Sequence, residues 1–158
     1  MITQVVPLPS SPTVNFLEVL ATNAASAMNN ISGLAPSIPF WWIAGVTVLT
    51  QQNFAPEFNF FKSASGPQVG VAADTWLGRI GFTQAQGEQI ATTGLWRYVS
   101  LLPVGTAIPY WDADRQLTQN PPQLHVVLQN TGATTKSAGA PGAIAVTFWM
   151  QPQMWVQG

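Results

Sequence analysis

Charge is what this sequence has least of. Only 11 of its 158 residues are Asp, Glu, Lys or Arg, 7%, where soluble domains usually carry about 25%. Neutral polar residues stand in for them, 15 Thr, 9 Ser, 14 Gln and 8 Asn, so the surface is expected to be polar but nearly uncharged. The five cations, Lys62, Arg79, Arg97, Arg115 and Lys136, are scattered, and the net charge is −1. Phosphate neutralisation dominates nucleic-acid affinity, so a chain without a Lys/Arg cluster or arm is expected to contact RNA weakly or indirectly. Cysteine is absent altogether. That excludes a disulfide framework, a thiolate zinc site and a cysteine nucleophile, and leaves the redox compartment open. No apolar run approaches the roughly 20 residues of a membrane helix, so no membrane partner is expected. Met1 to Pro7 lack the basic and apolar regions of a secretory signal.

What remains is a chain too apolar for disorder, at 47% hydrophobic residues. Its length suits one domain around one core. Residues 1–12, with three prolines and two serines among Val and Leu, read as an extended N-terminal arm. Residues 13–158 read as a single domain.

Strand signals dominate that domain. From Val14 to about Ala21 apolar residues alternate, and the Ala-rich stretch at 22–32 suits a short helical turn or a loop. Ile38 to Thr50 carries aromatic and β-branched residues on both faces, so both faces must be covered, by a second sheet or by another subunit. Further runs cover Phe58–Ala64, Thr75–Thr83, Leu95–Leu102 and Ile108–Trp111. Gln123–Gln129 places Leu124, Val126 and Leu128 on one side, and Ala143–Met150 does the same with Ile144, Val146, Phe148 and Met150. These last two are expected to form a hairpin across a long exposed loop, Asn130–Gly142, with three Gly and one Pro. Seven or eight strands in all predict an all-β, single-domain antiparallel β-sandwich of jelly-roll type.

Chemistry has few candidates. His125 is the only imidazole, and in mid-strand it reads as a structural residue more readily than as a base beside Ser100 or Asp112. The serines lack a nucleophile elbow. Gly66–Gly70 and Gly78–Gly81 lack the spacing of phosphate loops and read as turns or bulges. No catalytic residue is assigned and the chain is read as a non-enzyme. Asp112 and Asp114 form the one close carboxylate pair, on one face if extended. They could seat a calcium ion at a subunit interface, given further oxygens from carbonyls, water or a neighbouring copy. A local turn in which each aspartate caps backbone amides is the preferred reading, since the fuller calcium-loop spacing is missing. No other cofactor is suggested. Seven tryptophans are the stronger signal, because Trp is enriched at interfaces. Trp41, Trp42, Trp149 and Trp155 are the candidate interface residues; Trp149 alternates away from Phe148 and Met150.

The last third of the chain resembles a known family. Leu101–Ala107, Leu124–Leu128, the loop Asn130–Gly142 and the strand Ala143–Met150 are similar to the closing strands of jelly-roll coat proteins of small icosahedral positive-strand RNA viruses and satellite viruses. The resemblance covers about the last 60 residues and is one of texture rather than an invariant motif. It implies a structural protein of the virion that self-assembles into an icosahedral shell in the host cell, beside copies of itself and other capsid proteins. The uncharged, Pro-rich N-terminus departs from the Arg/Lys-rich arm that many such proteins carry. The rival reading is a lectin-like, carbohydrate-binding β-sandwich module, which would present two or three exposed tryptophans in line.

Overall fold

The computed structural model describes residues 13–16, 19–20, 29–30, 40–61, 76–102, 106–111, 124–132, 136–137 and 144–152. In chain order these form β1 (Thr13–Phe16), β2 (Val19–Leu20), β3 (Asn29–Asn30), β4 (Phe40–Thr50), β5 (Pro56–Phe61), β6 (Trp76–Gly81), β7 (Glu88–Gln89), β8 (Trp96–Leu101), β9 (Ile108–Trp111), β10 (His125–Asn130), β11 (Lys136–Ser137) and β12 (Ile144–Pro152). A single 3₁₀ turn at Gln84–Gln86 precedes β7.

Pairing register explains how one chain makes two facing sheets. Thr13 lies opposite Thr147, Leu20 opposite Lys136, Asn30 opposite His125, Phe40 opposite Trp111, Thr50 opposite Trp96 and Glu57 opposite Gly81. As one partner advances the other retreats, so the described strands follow the course of one long antiparallel hairpin. Rolling that hairpin brings its successive rungs alternately into two sheets. One has the order β1-β12-β4-β8-β7, with β9 also on β4, and the other β3-β10-β5-β6. The short β2·β11 ladder continues the hairpin between the rungs of the two sheets. Strands β8 and β9 pair with successive halves of β4, Gly45–Thr50 and Phe40–Ile43, and so form one interrupted strand. This is the jelly-roll arrangement expected from the sequence.

The two sheets face each other through alternate residues. Phe148 of β12 meets Phe58 and Phe60 of β5 edge to face, at ring-centre distances of 5.8 and 5.6 Å, a geometry that favours aromatic pairs beyond simple burial. Val46, Val48, Ile80, Val126, Leu128, Ile144 and Val146 fill the space around them. Tyr98 of β8 closes one end. Its hydroxyl accepts from the Phe54 amide at 3.1 Å, with the Asn53 Oδ1 at 2.5 Å and the Phe54 carbonyl at 2.8 Å available to its single proton. Gly87 passes directly over this ring; a Cβ there would lie 2.7 Å from it.

Two expectations change. The strands β10 and β12 do not form a hairpin: β10 pairs with β3 and β5, whereas β12 pairs with β1 and β4. Their inward residues face one core from opposite sheets, and alternation alone does not distinguish that from neighbouring strands. The connection between them contains β11 instead of being loop throughout. Within the stretch 22–32, Asn29 and Asn30 pair with Val126 and His125 as a strand, so a helical turn does not extend that far. The remainder of that stretch, and residues 1–12, lie outside the described residues.

Candidate functional site

The outer face of the larger sheet is built by three rows of side chains crossing β8, β4 and β12. Leu101, Gly45 and Trp149 form one row, Val99, Thr47 and Thr147 the next, and Arg97, Leu49 and Ala145 the third. Leu101, Val99 and Trp149 are 69%, 52% and 40% exposed. The only charged groups in these rows and beside them on β7 are Arg97 and Glu88, which pair with each other at 2.7 Å at the edge. Apolar side chains of β8 and β12 thus lie open on one side of the sandwich, with Gly45 and Thr47 of β4 between them, and exposed apolar patches mark interaction sites in soluble proteins.

A β-bulge shapes this surface. The β4·β12 register shifts between Trp149 and Met150, where Trp149 faces Gly45 but Met150 faces Ile43. Ala44 is the extra residue, and across it the inward set of β4 changes from Trp41 and Ile43 to Val46 and Val48. This explains why both faces of the strand looked apolar in sequence: one continuous run serves the core in two phases. Gly45 must be small, because a Cβ there would strike the Ser100 carbonyl and come within 3.0 Å of the Leu101 side chain. The indole N–H of Trp149 donates to Thr47 Oγ1 at 2.9 Å. Its polar atom is therefore satisfied inside the chain while the ring stays open.

The sequence-predicted interface residues separate. Trp41 is 1% exposed and belongs to the core, so its area serves this chain's own folding. Trp42 is half-buried on the outer face, opposite Gln151 and Pro109. Trp149 stands exposed on the outer face of β12. Trp155, Asp112 and Asp114 lie outside the described residues, and among the described residues no group of three His, Asp or Glu is placed to hold a metal. Val99 and Leu101 were not singled out in the sequence. Leu95–Leu102 has apolar residues in both alternation phases, and only Tyr98 reaching the core decides which set is outside.

His125 points to the outer side of the smaller sheet, between Asn30 and Phe61 in register, yet is 6% exposed. Burial pushes its pKa below the ordinary value of 6.5, because charge is disfavoured away from water. It is a neutral packed imidazole at pH 7.

Fold and surface together define a jelly-roll β-sandwich with one unpartnered apolar sheet face. No family model and no curated protein matches the chain. Among solved structures it is similar to a chain of the extra small virus (XSV) virus-like particle of the giant freshwater prawn Macrobrachium rosenbergii, with 16% identity and a TM-score of 0.32 over 95% of this chain and 82% of that one. It is also similar to a chain of cocksfoot mottle virus, with 12% identity and a TM-score of 0.33 over 94% of each. The fold rests on the strand pairing itself; superpositions this loose add nothing to it.

Proposed function

We propose that the chain is a capsid subunit of a small icosahedral virus, a structural protein without catalytic activity whose copies associate into a closed shell. The observation that carries this reading is the outer face of the larger sheet, where Leu101 and Val99 of β8 and Trp149 of β12 are exposed and the only charges, Arg97 and Glu88, pair with each other. Two apolar surfaces of this kind gain roughly 25 cal/mol for each Å² they remove from water, and heterologous contacts repeated by symmetry close a shell. The scarcity of charge in the whole sequence agrees, since interface cores are depleted in charged residues. Trp42 extends the proposed contact surface, and Trp155 is a further candidate interface residue. Asp112 and Asp114 would meet a calcium ion, if any, at a subunit boundary. Other capsid proteins are candidate partners, contact with RNA is weak or indirect, and the place of the protein is the virion.

The lectin-like module is the rival. It would align exposed tryptophans on one face, whereas the two most exposed among the described residues, Trp149 and Trp76, stand on opposite sheets. Electron microscopy of the purified full chain tests the reading: closed particles support it, and a dispersed monomer at every concentration contradicts it.

A further inference from the structure

The second exposed tryptophan has quite different surroundings. Trp76 opens β6, and a register shift between Phe60 and Phe61 skips Leu77 and turns Trp76 to the outer face of the smaller sheet. There it is 44% exposed. Its indole N–H donates to Asn59 Oδ1 at 3.1 Å, and the Asn59 amide donates to Glu57 Oε1 at 3.1 Å. Arg79 Nη1 donates to Glu57 Oε2 at 3.5 Å. One relay thus fixes an aromatic ring, an amide, a carboxylate and a guanidinium on a single flat surface.

Stability does not account for it. The Arg79 side chain is 64% exposed, so its ion pair with Glu57 adds little, and leaving a tryptophan ring open to water forgoes its burial.

We propose that Trp76, Asn59, Glu57 and Arg79 form a binding subsite for a neutral sugar. The apolar C–H face of a pyranose stacks on the indole, while its ring hydroxyls donate to the Glu57 carboxylate and accept from the Arg79 guanidinium. Single-stranded nucleic acid could also stack on Trp76. It is disfavoured because Arg79 is the one cation of the cluster and is already opposed by Glu57. The subsite lies on the sheet opposite the proposed assembly face, so it does not depend on the capsid reading.

The test is saturation-transfer NMR and tryptophan fluorescence on the full chain with free galactose, glucose, mannose, N-acetylglucosamine and lactose. At least one should bind in the millimolar range, the strength of a small single site. Trp76→Ala should abolish that binding and Asn59→Ala weaken it about tenfold, a change of about 1.4 kcal/mol. Trp149→Ala should leave it unchanged. Circular dichroism confirms that each variant is folded. Failure of every sugar to bind, or binding that survives Trp76→Ala, overturns the proposal. So does finding instead that oligouridylate binds through Trp76 with a steep salt dependence.

Discussion

Trp149 reaches past its direct partner Gly45 to donate its indole N–H to Thr47 Oγ1, 2.9 Å away on the neighbouring strand. A ring whose donor is satisfied within its own chain can be buried by another molecule without stranding a polar group. Trp149→Ala should therefore reduce assembly strongly while changing monomer stability by no more than about 1 kcal/mol, as for surface substitutions generally. Urea midpoints of the dispersed protein, set beside the assembled fraction, separate the two effects. A large fall in stability with normal assembly of the folded remainder would return Trp149 to the core.

Phe148, one residue before it, points the other way. It bridges the sheets through Phe58 and Phe60, and Phe148→Ala should cost about 3–5 kcal/mol, the range for large aromatics in cores. That loss is read in equilibrium denaturation, with assembly failing only because folded subunits are scarce.

Tyr98→Phe isolates a polar contribution of the core. The substitution keeps the ring contacts with Phe54 and Phe82 but leaves the buried Phe54 amide without its acceptor. The expected cost is about 1–3 kcal/mol, with faster amide exchange at Phe54 as the local signature. An unchanged midpoint and unchanged exchange would show that water replaces the hydroxyl.

His125 makes stability depend on pH in a definite direction. Its folded pKa is lowered from 6.5 by burial, so below that value the unfolded chain binds a proton that the folded chain resists. Stability should be full above about pH 6.5 and decline as pH falls through that value towards the folded pKa, below which this group adds no further loss. Denaturation midpoints at pH 7.5 and 5.5 should therefore differ more in the wild type than in His125→Gln.

The strands were largely legible in sequence because alternation and β-branched content report local environment directly. Seven of the sequence-predicted runs coincide with β4, β5, β6, β8, β9, β10 and β12 to within a few residues. Partnership was not legible: His125 and Ile144 both lie in strands with one inward face, and only the long-range register shows that they belong to opposite sheets. For the same reason Trp41 and Trp42 looked alike, two aromatics in one apolar strand, until alternation was anchored to the core. The outward direction of Trp149 was legible because β12 keeps a single phase, with Phe148 and Met150 buried on either side. The bulge at Ala44 has no comparably local signal, since it depends on what the neighbouring strand requires, whereas the break between β8 and β9 shows as the Pro103–Gly105 gap between two predicted runs.

Sedimentation velocity of the full chain and of Leu101→Asp tests the central claim most directly. Leu101 is 69% exposed, so the substitution leaves the fold intact but sets a charge among the exposed apolar residues of this face. The wild type should sediment as particles far larger than a 17.0 kDa monomer, and the variant as folded monomer. A wild type that stays monomeric, or a Leu101→Asp variant that assembles equally well, would contradict assembly through this face.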